Sequence, residues 1–199
     1  MNILRTLPKD VTVALSGGID SVVLLHFLSK KHNVTAAHYV HNNKYAEKEY
    51  VFVQQLCNNY KIDLIVEAQV DPMPANCGKE KYWRDGRYKF FKSLDAPVCT
   101  GHTLDDMVAW YLMTCMRGEG HLMTYDNGNV VRPFICTKKE ELIDYAKKHN
   151  LEWLEDPSNA DVEFTQRNRV VNKILPEALK VNPGLYSTIK NKFLKKFAI

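Results

Sequence analysis

Four short runs of β-branched and apolar residues, at 11–15 (VTVAL), 34–40 (VTAAHYV), 62–67 (IDLIVE) and 97–100 (PVCT), alternate with helical patterns near 20–32, 45–60, 79–94 and 103–117. That rhythm leaves few folds open. A strand that is followed by a helix before the next strand rejoins its sheet in parallel, through a right-handed crossover, and the helices cover the faces of the sheet. The expectation is an α/β protein: an open parallel sheet flanked by helices, Rossmann-like, with C-terminal helices and a site built by loops at the strand C-termini. A chain of 199 residues can bury the core of one such domain.

The alternation weakens past residue 118. Asp126-Asn127-Gly128 reads as a hairpin turn before VVRPF. A helix is expected from Thr137, with Glu140 as the second half of a capping box. WLEDPSN, with Pro157 after Asp156, reads as a loop, and two helices fill the C-terminus. The expected organisation is a core over 1–135 and a helical part over 136–199 of the same unit, with no internal repeat.

Several function classes drop out. No apolar run approaches the roughly 18 residues of a membrane helix, and the first strand leaves no room for a preceding signal sequence, so a cytoplasmic protein without a membrane partner is expected. Five scattered cysteines, none in a C-x-x-C pair, argue against a disulfide framework, a structural zinc site and a cluster-dependent sulfur transferase. They are expected to be reduced and mostly buried. Residues 165–199 hold eight Lys or Arg against one Glu, so this tail carries +7 of a net +4 and the rest of the chain −3. Such a tail suits a polyanionic partner, or is a solvated helix surface.

The first strand-to-helix junction carries the chemistry. A strand that ends in Ser16-Gly17-Gly18 and enters a helix near Asp20-Ser21 exposes backbone N–H groups at the positive end of a helix dipole. Two glycines permit φ > 0 and let an anion approach without a Cβ in the way. Ser16 and Ser21 add hydroxyl donors, and the natural guest is a phosphate or pyrophosphate. A tight turn with an N-cap residue needs only some of these residues. A Walker-type loop would need a lysine after the glycines, which is absent.

SGGIDS (16–21) resembles the pyrophosphate loop of the N-type ATP pyrophosphatase (PP-loop) superfamily, whose members adenylylate a substrate and share an adenine-nucleotide α-hydrolase-like fold. AAHYVHNNK (36–44), WRDGRYKFF (83–91), TGHTLDDMVAWYLMTCMRGEG (100–120), VRPF (131–134), LEWLEDPSN (151–159) and FTQRNRVVNKILP (164–176) follow in order, and together they resemble the tRNA(Ile)-lysidine synthetase catalytic domain over about 170 residues. The resemblance implies a ligase that uses ATP and Mg²⁺ to join free L-lysine to the wobble cytidine of an isoleucine tRNA with a CAU anticodon. A cytosine carbonyl oxygen attacks the α-phosphorus, pyrophosphate leaves, and the lysine amine then displaces AMP from the ring carbon.

On that basis Ser16, Gly17, Gly18, Asp20, Ser21, His38, Gly101 and His102 are expected at ATP, with Asp20 placed to hold Mg²⁺ or to organise Ser21. Asp105 and Asp106 suit an ammonium group or a metal, and like charges side by side should raise one carboxyl pKa for proton transfer. Their plainer reading is as helix N-terminal carboxylates. Arg84 and Arg87 with Tyr88 match an R-x-x-R-Y helix whose three-residue spacing puts both guanidiniums on one face, toward triphosphate or tRNA. Arg167, Asn168 and Arg169 resemble an R-N-R element near the active site. Both arginine groups could instead be solvated helix surface. Asp20, Asp105, Asp106, Arg84 and Arg167 form the expected catalytic set; His41, Arg84, Arg87, Tyr88, Asn168 and Arg169 the substrate set.

His38, His41 and His102 also admit a zinc reading, but residues three apart on a strand face opposite ways, so contacts to nucleotide or base are favoured. Trp83, beside Arg84, suits a nucleic-acid face, and Trp110 suits the core.

The chain departs from the family pattern too. Ala109-Trp110 stand where Glu-Thr usually follows the aspartates, Lys44 and Val171 replace arginines, and the loop after Gly118 is short. The tRNA-gripping domains of longer members are not in this sequence, so recognition is expected from the basic helices over 165–199, from homodimerisation or from another protein. Deletion after Ile174 should then weaken tRNA binding. Two alternatives stay open: an adenylylating enzyme with a different acceptor, and a nucleotide-dependent RNA-binding module without turnover.

Overall fold

A computed structural model describes residues 1, 3–70, 72–155 and 165–197. β1 (Asp10–Ala14), β2 (Asn33–Val40), β3 (Leu64–Ala68) and β4 (Val98–Cys99) alternate with α1 (Ile19–Ser29), α2 (Ala46–Tyr60) and α3 (Lys79–Lys92); α4 (Leu104–Cys115) follows β4. A hairpin of β5 (Asp126–Asn127) and β6 (Val130–Val131) precedes α5 (Lys139–Lys148). The last segment runs through α6 (Gln166–Arg169), a π-helical turn at Val170–Ile174, α7 (Leu175–Val181) and α8 (Leu185–Phe197). Pro176 has no N–H for the turn before it, and there the ladder takes the wider π form.

The strand order is β3-β2-β1-β4-β6-β5. Every pairing is parallel except that of β5 with β6, so the expected parallel sheet ends in an antiparallel edge. The chain builds outward from β1 on one side, through β2 and β3, and then returns to its other side with β4. The crevice between the C-termini of β1 and β4 is thus the topological switch point, where α/β sheets bind ligands.

Alternation along the strands separates the two faces. Ala36 and Cys99 join Val22, Leu24, Leu25, Val53 and Leu142 in one cluster, while Ala37, Tyr39 and Val98 meet Phe90 and Phe91 of α3 in another. α1 is apolar on all sides, with Ile19, Val22, Val23, Leu24, Leu25 and Leu28 buried between the sheet and α5, whose Leu142 and Ala146 share its cluster. Residues past 135 are thus part of the principal core. A third cluster joins Leu104, Met107 and Val108 of α4 to Leu175, Ile189 and Phe193 of the last helices.

Three expectations shift. α5 begins at Lys139 and its entry is closed by Glu141, which accepts the Lys138 N–H at 3.1 Å, instead of by Thr137 and Glu140; Thr137 is buried and closes the preceding turn with its N–H on Phe134. The hairpin turn is Gly128-Asn129, with Gly128 at φ 65°, and Asp126-Asn127 form β5. All five cysteines are free, but only Cys57 and Cys99 are buried and Cys115 is exposed. Asp156 to Asn159 of the expected WLEDPSN loop lie outside the described residues. Among the described residues no helix is long and apolar enough to cross a membrane.

Candidate active site

β1 delivers Ser16 to the switch point, and the turn that follows is organised by its two serines. The Ser16 N–H donates to Ser21 Oγ at 3.2 Å, the two hydroxyls lie 3.2 Å apart, and Ser21 Oγ donates to the Gly18 carbonyl at 2.9 Å. Positive φ falls on Gly17 alone, at 86°; Gly18 is extended and stands as the N-cap of α1. Gly17 is also closed in, since a Cβ there would lie 3.2 Å from Phe52 and 3.3 Å from Leu154. Its carbonyl accepts the Leu154 N–H at 2.9 Å, which ties the turn to the segment after α5. The first residues of α1, Ile19 and Asp20, have N–H groups with no acceptor inside the helix, at the positive end of its dipole.

β4 supplies the other wall. A Cβ on Gly101 would come within 2.8 to 2.9 Å of the Asp20 main chain, so only glycine lets the loop after β4 press against the start of α1. Thr100 and His102 share a 2.8 Å hydrogen bond between Oγ1 and Nδ1. Thr103, the N-cap of α4, donates its N–H and its hydroxyl to Asp106 Oδ2 at 2.7 and 2.9 Å.

Two acid–base pairs meet here. Asp106 Oδ1 accepts from Arg167 Nη2 at 2.5 Å, and Asp20 Oδ2 accepts from Lys139 Nζ at 3.1 Å. Burial pushes the Asp20 carboxyl above its ordinary range, Lys139 pulls it back and Asp106 adds to the rise. Burial acts on Asp106 in the same direction, yet the Arg167 guanidinium, His102 and the Thr103 N–H hold it below the usual range. The expected raised carboxyl of the aspartate pair is therefore not Asp106: the raised group is Asp20. Asp105 is occupied elsewhere, its Oδ2 accepting the Lys139 N–H at 2.7 Å and its Oδ1 the Tyr186 hydroxyl at 2.8 Å.

His38, His41 and His102 are neutral at pH 7. His38 is buried and donates Nδ1–H to the Leu15 carbonyl at 2.8 Å; burial lowers its pKa, with that hydrogen bond opposing. Burial, Arg87 and His38 lower His41 to about 4, and burial lowers His102 to about 4 against the pull of Asp106. His38 Nε2 and His41 Nδ1 are buried without a hydrogen-bond partner. Among the described residues no group of three His, Cys, Asp or Glu is gathered to hold a metal ion. Asp20 Oδ1 is likewise buried and unpartnered. A single carboxylate of this kind fits Mg²⁺, which keeps most of its shell as water and phosphate oxygens.

α3 brings the R-x-x-R-Y residues, and its arginines divide. Arg84 is exposed, 3.7 Å from Asp85, whereas Arg87 is turned inward and burial pushes its guanidinium down. The Tyr88 hydroxyl accepts from Arg132 Nη2 at 3.1 Å. His41 and Trp83 have ring centroids 5.5 Å apart. Asn168 is buried, its N–H on Thr165 Oγ1 at 3.0 Å, and Arg169 is exposed.

The fold thus gathers Ser16 to Ser21, Gly101, His102, Asp106 and Arg167 at one crevice, directs Asp105 into helix packing, and leaves Arg84 and Arg169 at the surface. Three site residues were not singled out from sequence. The expected helix start at Thr137 hides Lys139, Tyr186 has no local signal, and Arg132 is visible in VRPF but its burial and its bonds to Thr124 and Tyr88 are not.

A family profile described as a PP-loop domain matches residues 3–178. The chain is 28% identical over 197 residues to tRNA(Ile)-lysidine synthase of Francisella tularensis subsp. novicida, an alignment that covers 92% of this chain and 49% of the relative. It is 34% identical over 201 residues to the Bifunctional protein TilS/HprT of Listeria innocua, covering 89% of this chain and 31% of that one. In structure it is similar to the NH3-dependent NAD synthetase from Campylobacter jejuni, with a TM-score of 0.52 and 17% identity over 96% of this chain and 86% of the other, a likeness of fold. The chain spans about half the length, or less, of these curated relatives.

Proposed function

Because the chain belongs to the PP-loop domain family, we propose that it catalyses ATP-dependent modification of RNA, joining lysine to the wobble cytidine of an isoleucine tRNA with a CAU anticodon. The observation that carries this reading is the Ser16–Ser21 turn, with its hydroxyls and the first N–H groups of α1 converging at the switch point. The likeness to tRNA(Ile)-lysidine synthases supports this acceptor.

In the first step a cytosine carbonyl oxygen forms a bond to the α-phosphorus of ATP and the bond to the β-phosphoryl oxygen breaks. Charge grows on the departing pyrophosphate, where the Ser16 hydroxyl and the N–H groups of Ile19 and Asp20 donate, while the Ser21 hydroxyl, spent on the Gly18 carbonyl, holds the turn in shape. Asp20, through its unpartnered Oδ1, would hold Mg²⁺, which would supply further charge neutralisation there. In the second step the neutral lysine amine bonds to the ring carbon and AMP leaves. Asp106, kept ionised by Arg167, offers fixed negative charge to a lysine ammonium. His38, His41 and His102, all uncharged, suit hydrogen bonding to a base without repelling the arginines.

Pyrophosphate release from ATP, measured with and without lysine and the CAU-anticodon tRNA, tests the proposal, together with mass analysis of the tRNA nucleosides. Release over many turnovers requires both partners and the modified cytidine gains a lysine; the Ser16→Ala/Ser21→Ala variant is slower by about 10² or more. Multiple-turnover release that ignores lysine would assign another acceptor, and nucleotide binding without turnover would assign a binding module.

A further inference from the structure

Lys139 stands at the point where three elements meet. It is the first residue of α5, and its main-chain N–H is fixed on Asp105 Oδ2 at 2.7 Å, so the Cα is anchored to the start of α4. Its side chain crosses to the start of α1 and puts Nζ 3.1 Å from Asp20 Oδ2, one residue along from the N–H of Ile19.

That pairing is incomplete on both sides. Asp20 Oδ1 remains buried without a partner, so the ammonium does not satisfy the carboxylate. An ammonium has three N–H donors, and Asp20 takes one. The Lys139 side chain is 43% exposed, with room for an oxygen anion on its open side. Arg167, another cation in the crevice, is paired with Asp106. The turn itself offers hydroxyls, N–H groups and a helix dipole, all uncharged or fractional, to a guest that carries several full negative charges.

We infer that Lys139 is a further phosphate-binding residue, which bridges Asp20 and the terminal phosphoryl oxygens of the nucleotide. The inference rests on the reading of the Ser16–Ser21 turn as a nucleotide phosphate site. It gives Lys139 a direct contact with the leaving pyrophosphate and no contact with the α-phosphate or nucleoside.

Calorimetric titration of the full chain with inorganic pyrophosphate and with AMP, each in magnesium and in EDTA, tests it. Lys139→Met weakens pyrophosphate binding about ten- to hundredfold in both buffers, the loss of a charge-assisted hydrogen bond, leaves AMP within about twofold, and Lys139→Arg recovers most of the loss. An unchanged pyrophosphate affinity, an equal loss for AMP, or a loss confined to magnesium, which would mean that Lys139 only positions Asp20, overturns it. The main-chain anchor on Asp105 survives either substitution; should the Met variant fail to fold, Lys139→Gln carries the same comparison. If the unsubstituted protein takes up no pyrophosphate, the phosphate reading of the turn falls with this one; if it does and Lys139→Met matches it, only Lys139 is released from the role.

Discussion

Single residues are held in protonation states that their neighbours impose. His41 and His102 at the crevice, and His26 in the last turn of α1 beside Tyr145 of α5, are each lowered to about 4, burial being the first cause in every case. In the unfolded chain a histidine takes its proton near pH 6.5, so the folded state binds fewer protons between about 6.5 and 4. Stability is therefore full above that window and falls as pH drops through it, while Asp20, raised by burial, pulls the other way. Urea unfolding at pH 7.5 and pH 5 should show this loss, with unfolding near pH 5 taking up about one proton per histidine. His102→Asn should remove about one of them, and equal stability at the two pH values would contradict the assignment. The same scale shows why Asp105 and Asp106, adjacent in sequence, differ in kind: successive helical residues point about 100° apart, and one meets α8 while the other meets Arg167.

At the level of elements, the C-terminal helices brace the site. α8 places Phe193 and Ile189 against Leu104 and Met107 of α4, and its Tyr186 hydroxyl closes on Asp105. Burial first, and then the hydrogen bond to Asp105, raise the Tyr186 phenol, which stays protonated as the donor. Tyr186→Phe should cost about 1–2 kcal/mol in chemical denaturation, since the bond is to a charged acceptor but half-buried. A loss of nucleotide affinity in excess of the stability change would mean that α8 also positions Lys139. The elements themselves were largely readable, because apolar periodicity is local: β1, β2, α1 and α2 lie within a few residues of the sequence expectation. The start of α5 was not: T-K-K-E is the better entry by local capping chemistry, but Thr137 is buried in the preceding turn with its N–H on Phe134, so the helix starts one residue later, after Lys138.

Across the whole molecule, charge and core interleave in the last helices. Deletion after Ile174, the natural test of the basic tail from sequence, would also remove Leu175, Ile189 and Phe193 from the core beside α4, and so would test folding. Neutralising exposed lysines separates the two. Replacement of Lys173, Lys180, Lys195 and Lys196 by Gln should leave the melting temperature near that of the parent and reduce the slope of log affinity for tRNA against log salt, by up to about 3. An unchanged slope would remove the tail from RNA recognition.

The sequence alone determined the alternating fold, the glycine-serine turn at Ser16 and the family to which both belong, because each rests on residues that are neighbours in the chain. The tertiary structure decided which charges share the crevice: Lys139 with Asp20, Arg167 with Asp106, and Asp105 turned to Tyr186. Those pairs join residues 61 to 119 positions apart, and ionic and hydrogen-bond energies depend on distance in space, which a linear order of residues does not contain.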